Sequence, residues 1–171
     1  MNYLSYNKCD VLNGTGVRCV LWCSGCTHKC QGCFSEESWK FCNGLPFDQE
    51  IQDKIINDLK PDYISGLTLS GGDSMHPRNA VDLIPFVKRI KEELPSKNIW
   101  CYTGYVLEDL LDNEIQKELL SLIDVLVDGP FVQELADSSL KFRGSSNQRI
   151  IMVKKTLRKG EIVLWHNGDY T

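Results

Sequence analysis

Apolar positions recur along the chain with two spacings, and these divide it into alternating strands and helices. Short runs rich in β-branched and aromatic residues predict strands at Val17 to Trp22, Ile64 to Leu69, Asn98 to Tyr102, Ile123 to Val127 and Arg149 to Val153. Between the first two, Ile51, Ile55, Ile56 and Leu59 fall on one face of a helix that Asp48 caps and that ends before Pro61. Helical spacing resumes at Pro77 through Val81, Ile84, Val87, Ile90 and Leu94; Pro85 lacks an N–H, which predicts a short helix and then a second one starting at that proline. Leu107 to Leu122 reads as one or two helices around Asn113. Residues 2–16 are polar and interrupted by Gly14 and Gly16, so they read as an irregular lead-in. Glu36 to Phe41 reads as a brief helical turn, with a loop from Asn43 to Pro46. Glu161 to Trp165 is expected as a last strand in the tail 154–171.

Strands that alternate with helices imply parallel pairing and an α/β class. Five or six such units are too few to close an eight-stranded barrel. The expectation is therefore a single domain spanning 1–171, built as an open partial (β/α) barrel of about five or six parallel strands. Ligands of such sheets sit beyond the carboxyl ends of the strands.

Composition narrows the class without naming a chemistry. With 42% hydrophobic and 25% charged residues over 171 positions, the chain reads as an ordinary globular protein. A net charge of -4 gives no electrostatic footprint for nucleic acid, and the basic group Lys154, Lys155, Arg158 and Lys159 reads as a solvated face. No apolar run approaches the roughly 18 residues of a membrane span, and Met1-Asn2-Tyr3-Leu4 does not open a signal sequence. A cytoplasmic location with no membrane or nucleic-acid partner is expected. Eight cysteines are present, five of them between Cys19 and Cys33, and in a reducing compartment such crowding points to metal binding or thiol chemistry.

The chemistry concentrates in Cys26-Thr27-His28-Lys29-Cys30-Gln31-Gly32-Cys33. Thiolates bind iron-sulfur clusters, and a compact loop lets three of them converge. Structural zinc prefers a closed set of four. Three cysteines on a 4Fe-4S cluster leave one iron open to a small molecule, so the spacing favours catalysis over a scaffold. Cys23 lies three residues before Cys26 and is the one candidate for a fourth thiolate. Cys19, Cys23, Cys42 and Cys101 otherwise read as small core or loop residues, Tyr102 and Tyr105 as core or lining groups, and His28 as an outward-facing loop side chain.

Ser70-Gly71-Gly72-Asp73 follows the second strand directly. Glycines there let backbone approach a ligand closely, and a carboxylate beside them can hold a cationic amino group. Thr103-Gly104-Tyr105 and Asp128-Gly129-Pro130 also stand at strand ends; Asp128 reads either as a ligand group or as a turn carboxylate bonded to local amides.

The C-x3-C-x2-C run resembles the hallmark of the radical S-adenosylmethionine superfamily. Asn13 to Cys19, Ser24-Gly25-Cys26, Ser70 to Asp73, Trp100 to Tyr105, Val127 to Phe131 and Arg143 to Gln148 follow in order, and with them the chain resembles the activating proteins of anaerobic (class III) ribonucleoside-triphosphate reductases. The resemblance covers about residues 2 to 153 and leaves 154–171 as a C-terminal extension. It implies a 4Fe-4S cluster on Cys26, Cys30 and Cys33, with S-adenosylmethionine at the open iron. It further implies that Asp73, beside Gly71 and Gly72, holds the cofactor's amino group, that Gly32, Cys33 and Phe34 meet the adenine, and that Thr103 and Asp128 face the cofactor, with Arg143 or Asn147 near it. Two positions depart from the pattern: Gly32 replaces the superfamily's usual aromatic residue, and Ser74 replaces the usual proline after the acidic residue.

The implied reaction is reductive cleavage of S-adenosylmethionine to methionine and a 5′-deoxyadenosyl radical, which takes hydrogen from a glycine Cα of the reductase. Implied partners are that reductase and a flavodoxin- or ferredoxin-like electron donor. Three alternatives stay open from the residues: an activase of another glycyl radical enzyme, a small-molecule radical enzyme of the deazaguanine-synthase kind, and a noncatalytic zinc module on Cys23, Cys26, Cys30 and Cys33.

Overall fold

The computed structural model describes residues 1–166. Its strands are β1 (Asn2–Asp10), β2 (Val17–Cys23), β3 (Leu45–Pro46), β4 (Ile64–Gly71), β5 (Asn98–Tyr102), β6 (Val125–Asp128) and β7 (Arg149–Met152). They form one seven-stranded sheet in the order β3-β1-β2-β4-β5-β6-β7. The helices are α1 (Gln49–Leu59), α2 (Pro77–Glu93), α3 (Leu107–Leu110), α4 (Glu114–Leu122) and α5 (Val153–Lys159).

The α/β class holds, but the parallel set is smaller than expected. Only β2, β4, β5 and β6 run parallel, joined in turn by α1, by α2 and by the α3–α4 pair. β7 pairs antiparallel with β6 because the segment between them is a loop with one 3-10 turn at Gln133–Leu135 and no α-helical crossover, so nothing carries the chain back to the starting end. β1 corrects the expectation of an irregular lead-in. It lies antiparallel beside β2 with two register shifts, and none of its residues is fully buried, which is why no apolar alternation marked it.

Asp48 caps α1 as expected, accepting from the Ile51 N–H, and the Asn113 side chain caps α4. α2 runs unbroken through Pro85. Pro85 and Val81, whose carbonyl loses its partner, both lie on the exposed face, where water can satisfy that oxygen. Val81 is accordingly not a core position, whereas Leu83 and Phe86 are. In the tail, residues 153–159 form α5, and the expected last strand is reduced to a single bridge between Ile151 and Leu164. Residues 167–171 of the extension lie outside the described residues.

Alternate residues of each strand serve two cores. Ile99 and Cys101 of β5 pack with Leu21, Leu67 and Leu69 under α1, α2 and α4. Trp100 faces the other way, with Val125, Val127, Ile150 and Met152, and meets Phe142 and Trp165 edge to face. Arg18 is buried on that second face, donating to Thr68 Oγ1 at 2.8 Å and to the Leu67 carbonyl at 2.9 Å. Burial lowers its pKa to about 10.

Candidate active site

The carboxyl ends of β2, β4, β5 and β6 open into a cavity of about 380 Å³, a size suited to a cofactor. Cys26, Cys30, Cys33, Phe34, Gly71, Gly72 and Thr103 all line it. The thiol loop reaches this place because its first arm is laid against the turn at Glu36–Trp39: Gly25 N donates to the Ser38 carbonyl at 2.6 Å and Cys26 N to that of Trp39 at 3.2 Å. Cys33 N closes a turn on the Cys30 carbonyl at 3.2 Å, and Gly32 supplies the positive φ of +72° that the third position of this turn requires. Gly32 itself packs on Gln133 and does not line the cavity.

The β4 end is stitched to the same loop. Gly72 N donates to the Cys23 carbonyl at 2.7 Å and Asp73 N to that of Gly25 at 2.8 Å. A Cβ on Gly72 would stand 2.6 Å from the Gly25 oxygen, so a side chain is excluded there. Asn79, buried at the start of α2, donates its side-chain amide to the carbonyls of Ser24, Gly25 and Asp73 at 2.9, 3.2 and 2.8 Å.

Asp73 is 1% exposed and its carboxylate is already engaged. It accepts from Met75 N at 2.9 Å, from Gly104 N at 3.0 Å, from Thr103 Oγ1 at 2.8 and 3.0 Å, and from His28 Nε2 at 2.7 Å. Two main-chain N–H groups and the Thr103 hydroxyl donate to this carboxylate, and against its oxygen His28 presents an Nε2–H. His28 therefore does not face outward as expected: its ring lines the cavity and meets the Tyr105 ring edge-on at 4.5 Å. Phe34 is 90% exposed at the rim, with its ring on that of Phe131 at 5.5 Å.

Several expected contacts lie elsewhere. Asp128 is buried but turned away from the cavity, accepting from Leu107 N at 2.8 Å and from Arg149 Nε at 3.0 Å. Arg149 also binds Glu108, so Asp128 fastens β7 and α3 to β6. Arg143 and Asn147 line a neighbouring hollow of about 580 Å³ that holds no cysteine; the polar loop turns Gln148 toward the cavity instead. Cys23 is buried in the core at 3.3 Å from Ser74 Oγ, with its pKa pushed up to about 12 by burial, and it takes no part in the thiol set. Cys19 and Cys101 are buried as expected, and all eight cysteines are unpaired.

The donor set suits a cluster. Burial pushes the Cys26 thiol up to about 11, against the main-chain N–H groups of His28 and Lys29, so a thiolate there calls for a cation to replace its proton. Among the described residues no group of three or more His, Cys, Asp or Glu is arranged to hold one metal ion. Three thiols lining one cavity are the donor type that iron-sulfur clusters use.

Comparison with known proteins decides the family. The 4Fe-4S single cluster domain matches residues 12–151. An anaerobic ribonucleoside-triphosphate reductase-activating protein of Pasteurella multocida is 53% identical over 152 residues, covering 88% of this chain and 96% of its own. The chain belongs to the family of anaerobic ribonucleoside-triphosphate reductase-activating proteins. The Escherichia coli K12 member is 49% identical over 150 residues, covering 86% of this chain and 96% of its own. The phage T4 member is 40% identical over 150 residues, covering 88% and 93%.

Within this family frame, sequence reasoning missed two residues that assemble the site. His28 was hidden because its partner Asp73 is 45 positions away. Asn79 had one usable signal, an amide placed in the first turn of a helix that directly follows a glycine-rich strand end.

Proposed function

We propose that the protein is the activase of an anaerobic ribonucleoside-triphosphate reductase, installing a glycyl radical on that partner by reductive cleavage of S-adenosylmethionine at a 4Fe-4S cluster. The observation that carries this reading is the meeting of Cys26, Cys30 and Cys33 with Gly71, Gly72 and Thr103 around one cavity. Family membership supports the partner, since the relatives are named for that reductase.

When bound, the reduced cluster and S-adenosylmethionine together supply a 5′-deoxyadenosyl radical able to remove hydrogen from a glycine Cα. The chain's own part is to hold and shield. Cys26, Cys30 and Cys33 ligate the cluster. Gly71 and Gly72, having no side chain, give the methionyl part access to main chain, while the buried Asp73 sets a negative charge behind that wall for the cofactor's ammonium group. Phe34, with the main chain of Cys33, takes the adenine, and Thr103 lines the ribose or methionyl side. Asp128 acts at a distance, by fixing Arg149 and the start of α3.

The four parallel strands read as the wall of a partial barrel whose open mouth admits the partner's glycine. A flavodoxin- or ferredoxin-like protein serves as electron donor, in the cytoplasm. Eight unpaired cysteines accord with a reducing compartment, and no described helix is long and apolar enough to cross a membrane.

Anaerobic reconstitution tests this reading. Brown protein whose absorbance is bleached by dithionite, and a glycyl doublet in electron paramagnetic resonance after mixing with cofactor and reductase, are expected. Colourless protein with stoichiometric zinc overturns it, and so does cofactor cleavage that produces no radical on the reductase.

A further inference from the structure

The side chains around Asp73 place one residue of the thiol loop in a position that its own ligand spacing does not require. His28 stands between Cys26 and Cys30, yet its ring leaves the loop and crosses to two other segments. Its Nε2–H donates to Asp73 Oδ2 at 2.7 Å, at the end of β4. Its ring edge rests on Tyr105, beyond the end of β5, and it packs so closely on Gly104 that a Cβ there would stand 2.5 Å from His28 Cδ2. Asp73 in turn holds Thr103 Oγ1 and Gly104 N, so the thiol loop, the β4 end and the β5 end all meet at one imidazole. The next residue, Lys29, adopts a positive φ of +49°, a conformation uncommon for a side-chain-bearing residue and one that needs outside support. With 19% of its side chain exposed, His28 faces the cavity but spends its donor on the protein.

Resting on the function proposed above, we propose that His28 is a positioning residue: it fixes the distance between the cluster-bearing loop and the cofactor-bearing strand ends, and so sets the affinity and orientation of S-adenosylmethionine without ligating iron. An isolated loop with three cysteines can gather a cluster. Docking a second group against that cluster also requires the loop to be held in register with Gly71 and Gly72 at the end of β4 and with Thr103 just after β5. A hydrogen bond from a ring to a buried carboxylate gives that register direction, and the contact of the ring with Tyr105 and Gly104 gives it depth. Removing a supporting partner at a metal site typically costs roughly 10-fold to 100-fold in metal affinity or activity.

The test compares wild type, His28→Ala, His28→Gln and His28→Phe after anaerobic reconstitution. The readouts are iron content, the electron paramagnetic resonance of the dithionite-reduced cluster before and after addition of S-adenosylmethionine, and cofactor affinity by equilibrium dialysis. All four are expected to hold the same iron, because the three thiols are untouched. His28→Ala is expected to bind the cofactor at least about 10-fold more weakly and to lose most of the spectral change that the cofactor causes. His28→Gln keeps an N–H donor toward Asp73 and is expected to recover most of both; His28→Phe keeps the ring against Tyr105 without a donor and is expected not to. Equal affinity and an equal spectral change in His28→Ala overturn the proposal, as does a glutamine variant no better than the phenylalanine variant. Loss of iron from both the alanine and the glutamine variants overturns it in favour of ligation. A wild-type protein that holds no iron overturns the function reading itself, and this inference falls with it.

Discussion

Asn79 donates its side-chain amide to the main-chain carbonyl of Gly25 at 3.2 Å, joining the first turn of α2 to the start of the thiol loop. The same amide serves Ser24 and Asp73, and the residue is 1% exposed. Asn79→Ala leaves the buried Ser24 carbonyl without its side-chain donor, while the Gly25 and Asp73 carbonyls keep Asp73 N and His76 N, and is expected to cost about 1–3 kcal/mol of stability by denaturant titration. Asn79→Asp, which replaces the donor with a buried charge facing three oxygens, is expected to be worse. A neutral alanine variant would show that the loop is held by its main-chain bonds alone.

The thiols separate into two groups by surroundings. Cys26→Ala, Cys30→Ala or Cys33→Ala is expected to abolish cluster assembly and radical formation. Cys23→Ala is expected to keep full iron content and lose only about 1–2 kcal/mol of stability, because its sulfur is packed in the core beside Ser74. Metal analysis of the four variants checks this; iron lost from Cys23→Ala would restore a four-thiol site.

What could be read in the sequence follows from how local each cause is. The core face of α1 and its Asp48 cap depend on neighbours within a few residues, so spacing alone found them. The three cysteines and the glycines after β4 were found for the same reason. β1 was missed because it lies near the sheet margin, with only the two-residue β3 beyond it, and buries none of its residues fully, so it owes its form to pairing with β2. Pro85 misled because a proline on the water side of a helix costs less than its chemistry alone suggests; the helix is held by the buried face of Leu83, Phe86 and Val87. Arg143 and Asn147 were placed at the cofactor by motif, but the Arg143 guanidinium and the Asn147 side-chain amide shape their own loop by donating to the carbonyls of Gln148 and Pro130.

Gly71 joins two constraints that no side chain satisfies. Its φ is +94°, and a Cβ would lie 2.7 Å from both the nitrogen and the oxygen of Cys23, which are backbone atoms fixed in the sheet. Gly71→Ala is therefore expected to cost about 2–4 kcal/mol and to weaken cofactor binding by shifting the cavity wall. Gly160→Ala is the matched control: φ is +72° but nothing stands within 4 Å, so only the backbone term of about 1 kcal/mol applies. Denaturation midpoints of the two variants give the comparison, and equal losses would show that crowding at Gly71 is relieved by local movement.

His76 caps α2 through its ring, accepting from Arg78 N at Nδ1 over 3.3 Å, with Phe41 packed edge-on at 4.7 Å. Burial lowers its pKa below the ordinary histidine value, and Arg78 adds to this against the pull of Asp73. The folded ring thus holds a proton less tightly than the unfolded one, about 6.5 in the free side chain. Its contribution to stability is fully present above that value and is lost as pH falls through the lowered folded value, because protonation removes the lone pair that caps the helix. The ring is partly exposed, which keeps the effect on the order of 0.5 kcal/mol. His76→Asn retains a capping acceptor that does not titrate. Between pH 7.5 and 5.5 the cluster-free wild type is expected to lose more stability than His76→Asn, while the two agree at the higher pH. The other two histidines are present in both proteins, so the difference belongs to His76; identical losses would show that His76 is not the source of the acid sensitivity.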